Sequence, residues 1–343
     1  MGGTQEYAVA AKVRAMYGKR LSAEDYQRIA ALNGVGEIAG YLRVHTSYAS
    51  AMEAASSDRI AVENAVRGRL LDEYFRILNF IGRDDMAIMR FLIASSELRE
   101  IMRFIWLAEA GQSDRYVYDM PPHFTRYSKI NYRLLGMASD YEGLLDALAG
   151  TPYHAALKSL AARPNGWPEF SKIEVAVRRT YFRWAMTVID RGYKGERRRA
   201  LRDAVGFEVD MVNIMTIFRI RRHFPKMEDD MAGYLLPVSY KLKPSVVKRM
   251  MAASDEAAML DVLRGAGYAR IFTGELLDEV EGYYYTGMID FYRRRLRDGR
   301  PYVVTPLAYL FLKQLEIKNI IKLIECVQYG IPPQKAQTYL YRV

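Results

Sequence analysis

Apolar residues recur along this chain at steps of three and four. Val62, Val66, Leu70, Tyr74, Ile77 and Ile81 draw one stripe; Leu277, Val280, Tyr284, Met288 and Phe291 draw a second; Ile317, Ile320, Ile324 and Val327 draw a third. At 3.6 residues per turn such spacing gathers the large side chains on one helix face, and burial of that face drives it against other helices. Strand-like alternation is scarce. Tyr302-Val303-Val304 is its best instance, and it stops at Pro306. Helix ends are predicted at Gly111, Pro121-Pro122, Pro164-Asn165-Gly166, Pro225, Pro237 and Gly299-Arg300-Pro301. The pattern predicts an all-α protein.

The pattern also repeats. Ala138-Ser139-Asp140, Leu145-Asp146-Ala147-Leu148, Gly150 and Tyr153 match Ala253-Ser254-Asp255, Leu260-Asp261-Val262-Leu263, Gly265 and Tyr268 without a gap. A looser copy has Ile38, Leu42, Thr46 and Tyr48, with one extra residue before the tyrosine. Downstream, Asp210-Met211-Val212-Asn213-Ile214 resembles Glu316-Ile317-Lys318-Asn319-Ile320, while in the first third Asp85 is followed by Ile88 where an asparagine would stand. The copies divide the chain into three helical units at 1–115, 116–229 and 230–343, each near the common size of a domain.

Each shared piece has a physical reading. Ser139-Asp140 and Ser254-Asp255 offer side-chain oxygens to the orphan N–H groups of a helix start. Gly150 and Gly265 let the chain turn before the tyrosine, and Thr151-Pro152-Tyr153 restarts a helix with proline near its first position. The acid and asparagine, three residues apart, share a helix face and can bond a neighbouring segment. An asparagine on a mostly apolar helix then fixes register.

Charge and composition change this picture little. Half of the 343 residues are apolar and 26% are charged, which suits buried cores. Fifty Lys and Arg against 40 Asp and Glu give +10, so an anionic partner is admissible: nucleic acid, a lipid headgroup surface or an acidic protein. Cys326 is the sole cysteine, which excludes an internal disulfide and a Cys-rich metal site. No segment reaches the roughly 18–20 apolar residues of a spanning helix. The start carries Glu6, Lys12 and Arg14 instead of an apolar signal core, and Glu6 stands where myristoylation wants a hydroxyl. A soluble chain with at most peripheral membrane contact is expected.

Catalytic constellations are not found in the sequence. His45, His123, His154 and His223 never pair at helical spacing, Gly18-Lys19-Arg20 fails as a phosphate loop, and Gly34-Val35-Gly36 lacks the third glycine of a dinucleotide fingerprint. Gly111-Gln112-Ser113-Asp114-Arg115 lacks the last glycine of a nucleophile elbow. Asp84-Asp85 are neighbours that splay about 100° apart on a helix and cannot share a substrate. No catalytic, cofactor-binding or metal-binding residue is assigned. Three arginine clusters remain: Arg197-Arg198-Arg199 with Arg202, Arg219 with Arg221-Arg222, and Arg293-Arg294-Arg295 with Arg297. The candidates for partner contact are Arg293, Arg294, Arg295 and Arg297, then Arg197, Arg198 and Arg199, with solvated helix faces as the competing explanation. The 26 tyrosines and 17 methionines are assigned mainly to the core.

Three blocks carry a family resemblance. Tyr7-Ala8-Val9-Ala10-Ala11-Lys12-Val13-Arg14-Ala15-Met16-Tyr17-Gly18-Lys19 is similar to the opening of the C subunit of archaeal-type ATP synthases, the counterpart of the d subunit in V-type ATPases. Asp140-Tyr141-Glu142-Gly143-Leu144-Leu145 with Gly150-Thr151-Pro152-Tyr153, and Leu315-Glu316-Ile317-Lys318-Asn319-Ile320-Ile321, continue it to the end of the chain. Thr46-Ser47-Tyr48 and Cys326-Val327-Gln328 depart from the usual pattern. The resemblance implies a funnel-like socket of three pseudo-symmetric helical repeats on the central stalk. It further implies a non-catalytic rotor component that couples the shaft of the D and F subunits to the membrane proteolipid ring, and through the shaft to the catalytic A and B subunits, in ATP-linked proton or sodium transport. The implied place is peripheral, on the cytoplasmic face. The alternative is a basic, all-helical nucleic-acid-binding protein, prompted by the charge alone; no nucleic-acid-binding module is visible, and no nucleic-acid partner is expected.

Overall fold

A computed structural model describes residues 2–53, 55–82, 85–116, 128–164, 166–224, 230–273 and 281–342. Leu277, Val280, Asp84, His123, Pro121, Pro122, Asn165 and Pro225 lie outside the described residues. Those described form seventeen α-helices and no strand. In chain order they are α1 (Gly2–Tyr17), α2 (Ala23–Ala30), α3 (Val35–His45), α4 (Ala49–Met52), α5 (Arg59–Leu78) and α6 (Met86–Glu109). Three short helices follow, α7 (Tyr132–Met137), α8 (Tyr141–Ala147) and α9 (Pro152–Lys158), then the long α10 (Phe170–Gly192) and α11 (Gly195–His223). The rest are α12 (Met231–Tyr234), α13 (Pro244–Met251), α14 (Glu256–Leu263), α15 (Glu281–Asp298), α16 (Thr305–Gln328) and α17 (Pro333–Thr338). The all-α expectation is met. By compactness the chain groups into two units, one of Met1–Met89 with Ile289–Val343 and one of Arg90–Met288.

In the first unit α16 is buried almost all round: Leu310, Leu312, Leu315, Ile320, Leu323 and Ile324 are each at most 2% exposed. A helix apolar on every side requires neighbours on every side, and α5, α1, α2 and α3 supply them. The stripe read on α5 is the inward face, with Val62, Val66, Leu70, Tyr74 and Ile77 all buried. Each such side chain contributes about 1.5–3 kcal/mol when fully buried. The N-terminal helix is fastened at its other end. Arg14 Nε donates to the Leu296 carbonyl at 2.8 Å and Nη2 to that of Arg297 at 3.1 Å, so a cation satisfies carbonyls left over where α15 ends.

In the second unit α10 and α11 pack along each other. Ile173, Val177, Phe182, Ala185 and Ile189 on the first, and Leu201, Val209, Ile214, Ile217 and Phe218 on the second, are all fully buried or nearly so. The turn between the helices uses Gly195 at φ +56°, a conformation open to glycine at little cost.

The predicted helix starts are present. Asp140 accepts from the Gly143 N–H at 2.8 Å and Asp255 from that of Ala258 at 2.8 Å. Pro152 opens α9 behind Thr151. The first third adds a capping box beyond the predicted starts, in which Ser22 and Asp25 each accept from the other's backbone N–H. The one strand-like run resolves as a turn, and one expectation needs correction. Tyr302-Val303-Val304 is a 3-10 turn, not a strand: Val303 and Val304 are both buried, so the apolar run reflects burial on all sides, not a two-faced sheet. The turn before Tyr268 falls on Gly267, at φ +92°, not on Gly265, because the chain passes through a π-turn over Arg264–Tyr268 first; Gly150, at φ +75°, is placed as expected.

Gly206 on α11 marks a close approach. A Cβ there would stand 3.2 Å from the Tyr240 Cβ and 3.3 Å from the Ser239 carbonyl, so the helix or the segment would have to move. Gly206→Ala is expected to lower stability by about 1–3 kcal/mol in a denaturant titration. Gly192→Ala, which meets nothing within 4 Å, is expected to be neutral or slightly stabilising.

Candidate functional site

The acid-and-asparagine motif becomes a latch. Asp210, fully buried on α11, accepts from the backbone N–H groups of Tyr240 at 3.0 Å, Lys241 at 2.6 Å and Leu242 at 2.9 Å, and from the Tyr268 hydroxyl. One turn on, Asn213 trades two bonds with Leu236, donating to its carbonyl at 3.0 Å and accepting from its N–H at 2.8 Å. Burial raises the Asp210 pKa, with the four donors pulling the other way, and raises that of Tyr268 as well.

The same device recurs on α16. Glu316 accepts from the Leu21 N–H at 3.1 Å, from the Tyr48 hydroxyl at 2.8 Å and from Lys313 at 2.5 Å. Asn319 trades bonds with Tyr341, both at 2.8 Å. Tyr48 is fully buried, and burial followed by the charge of Glu316 holds its hydroxyl far from ionising.

The first third has its own version, at a different place from the one its sequence suggests. The acid is not Asp85 but Glu97, on α6, which accepts from the Ser128 hydroxyl at 2.6 Å and the Lys129 N–H at 3.1 Å. The buried Tyr153 is near it, and after burial the Glu97 charge is the next cause raising that phenol's pKa. Three residues on, Glu100 replaces the asparagine and accepts from Tyr116 at 3.0 Å. A Glu-x-x-Glu spacing with small helices downstream is the signal that the sequence offers for it. Tyr48, Tyr153 and Tyr268, the repeat anchors, each sit beside the acid of one latch.

The arginine candidates divide by what surrounds them. On α15, Arg294 pairs with Asp290 at 2.9 Å, Arg297 with Asp298 at 2.9 Å, and Arg295 lies 5.2 Å from the centre of the Phe291 ring. Arg293 is exposed. At the start of α11, Arg197 lies 5.2 Å over the buried Tyr193 ring, while Arg198 and Arg199 are exposed. Arg202 holds both oxygens of Asp190 at 2.6 Å. Arg221 and Arg222 are used inside the second unit: Arg221 donates to the Ala253 carbonyl at 2.6 Å, and Arg222 meets Glu256 through two bonds. Both partner-contact candidate clusters therefore border a turn between long helices, the one from α10 to α11 and the one from α15 to α16.

A further charged group lines the second unit. Glu208 on α11 is pushed up to about 7 by burial, against the pull of Arg178 and Arg99. Solvent reaches the Arg99 side chain, yet the surrounding protein desolvates it enough to lower its pKa, with Tyr181, Glu208 and Tyr284 among its charged or polar neighbours. Among the described residues, no three His, Cys, Asp or Glu side chains gather as metal ligands, and no helix is long and apolar enough to cross a membrane.

Against known families, residues 9–339 match the ATP synthase (C/AC39) subunit family. The chain is 22% identical over 322 residues to the A-type ATP synthase C subunit of Methanosphaera stadtmanae, covering 90% of this chain and 80% of that one. It is 21% identical over 339 residues to the corresponding protein of Pyrococcus abyssi, with 95% and 87% covered. For Thermococcus kodakarensis the identity is 20% over 340 residues, with 97% and 89% covered.

Two outcomes are expected from the buried acids. Asp210→Asn replaces a four-bond acceptor with a group that turns an N–H toward donors, and should cost about 2–4 kcal/mol; Tyr268→Phe should cost about 1–2 kcal/mol. Chemical denaturation measures both. Glu208 adds a pH dependence. Its native pKa of about 7 lies above the ordinary 4.5, so the native state binds this proton more tightly than the unfolded chain does. The resulting penalty is absent below pH 4.5, grows as the pH rises, and is complete above 7, at about 2–3 kcal/mol. Glu208→Gln should therefore match the parent protein near pH 4.5 and exceed its stability at pH 8.

Proposed function

This chain belongs to the ATP synthase (C/AC39) subunit family, and on that footing we propose that it is a non-catalytic central-stalk component of an A/V-type rotary ATPase. In this reading it joins the shaft of the D and F subunits to the membrane proteolipid ring and passes torque between ion flow and the A and B subunits. It lies peripherally, on the cytoplasmic face of the membrane. The family match across residues 9–339 carries the reading. The names of the relatives, each the C subunit of an A-type ATP synthase, point to the complex.

The latches support the proposed architecture of three helical repeats at 1–115, 116–229 and 230–343. Glu97, Asp210 and Glu316 each hold a group of small helices or the segment leading to it, and each sits on the second of two successive long helices. A three-unit socket around a pseudo-threefold axis accommodates that recurrence.

Capture of the tagged protein from gently solubilised native membranes, with identification of what accompanies it, tests the function. Shaft and proteolipid subunits are expected, and a purified sample should show no saturable micromolar binding of magnesium-ATP by calorimetry. Capture of nucleic acid without any rotary ATPase component would sink the reading. Docking should also weaken at high salt, and replacing Arg293, Arg294, Arg295 and Arg297 together by alanine should slow association. One exposed pair is worth only about 0–1 kcal/mol, so single substitutions there should be nearly silent.

A further inference from the structure

We propose that the turn joining α10 to α11 is an electrostatic docking tip for an anionic phospholipid surface. Arg191, Lys194, Arg198 and Arg199 are exposed at this turn, and none of their side chains has an ion-pair or hydrogen-bond partner among the described residues. The acids nearby do not offset them. Asp190 is held on both oxygens by Arg202, which leaves Glu196 as the one exposed carboxylate within the turn. Like charges crowded this way repel one another in the free protein, and an anionic surface relieves that repulsion.

The form of the tip selects the partner. Tyr193 is buried and anchors the turn, and no large apolar side chain between residues 190 and 202 is exposed. The tip therefore offers neither a hydrophobic anchor to insert nor a groove to fit a peptide. Its four long side chains are held by nothing among the described residues, so they present charge density without a fixed geometry. Mobile lipid headgroups can adjust to such charge. A folded acidic protein would instead be recognised by donors set in place, as at the end of α15, where Arg300 stacks 5.5 Å over Tyr7 and Arg14 5.6 Å over Tyr302. With no spanning helix among the described residues, attachment through a polar tip is peripheral and reversible. The inference deepens the coupling reading, on which the presence of a nearby membrane rests.

The test is co-sedimentation of the full chain with vesicles of phosphatidylserine and phosphatidylcholine, and with vesicles of phosphatidylcholine alone, at low and high salt. Binding is expected with the anionic vesicles at low salt, with its loss at high salt and its absence on neutral vesicles. Each basic residue near such a surface contributes about fivefold to partitioning, so Arg198→Ala with Arg199→Ala should reduce it roughly 20–30-fold, and Arg191→Ala with Lys194→Ala about as much. Arg198→Lys with Arg199→Lys keeps the charge and should bind within about twofold of the parent. A thermal melt of each variant, expected to match the parent, establishes that the fold is intact. Equal binding to neutral vesicles, tip variants that bind as the parent does, or loss of binding in the lysine pair would overturn the proposal; the last outcome would mean that a planar donor fork is being read, as by a carboxylate partner. Unchanged vesicle binding by the tip variants would remove the tip and leave the coupling reading standing. A membrane capture without rotary components would remove that reading whatever the vesicles show.

Discussion

A carboxylate inside a bundle of apolar helices has to be given donors, and much of this structure follows from meeting that requirement. Asp210 is fully buried on a helix that also buries Val209, Met211, Ile214 and Phe218. Leaving it unpaired would cost several kcal/mol. The backbone N–H groups of Tyr240, Lys241 and Leu242 must therefore come to it, with the Tyr268 hydroxyl closing the set. Apolar contacts alone are not directional and would let a small helix slide along a long one. Hydrogen bonds weaken steeply with misalignment, so the latch fixes where along α11 the segment rests. Asn213, bonded both ways to Leu236, fixes the register a second time.

The same requirement governs the arginines. Where a guanidinium serves the fold, it is matched: Arg14 caps the carbonyls at the end of α15, Arg221 those at the end of α13 and just beyond, and Arg222 pairs with Glu256. Such arginines explain part of the +10 balance without any partner molecule. What they leave is concentrated. In the α15 cluster Arg294 and Arg297 are paired with Asp290 and Asp298, whereas Arg198 and Arg199 have no such acid among the described residues. Runs of arginine that look alike in a sequence are thus different objects once their neighbours are known.

That difference measures what the sequence could and could not reveal. Helical content, the inward stripe on α5 and the aspartate caps at Asp140 and Asp255 are local properties, set by spacing within a turn or two, and local spacing is what a sequence displays. The pairing of Glu316 with Leu21 and Tyr48 spans 295 and 268 positions. The repeated tyrosines and acids signal that something is shared, but not that each tyrosine meets an acid. The first third misleads because its acid, Glu97, has Glu100 where the other two copies have asparagine. Tyr116, 16 positions on, supplies the missing donor, a compensation with no counterpart in the other copies to reveal it. Gly267 is hidden for a simpler reason: a π-turn over Arg264–Tyr268 carries the chain two residues past Gly265 before it turns, and no spacing rule anticipates it.

The recurrence of one latch in three settings also bears on the proposed role. A part that passes torque must hold its helices against sliding as well as against separation. Burial resists separation through the area removed from water, but it is indifferent to small translations along a packed face. The directional bonds at Glu97, Asp210 and Glu316 resist those translations, and the burial of Asp210 and Glu316 shields those two carboxylates from competing water. Their ionisable partners are held away from titration as well, since burial and the adjoining carboxylate raise the pKa of Tyr48 and of Tyr268 alike. Stiff joints inside and unpaired charge at an exposed turn are compatible demands on one chain, because the first commits buried carboxylates to its own backbone and the second leaves surface cations free for another body.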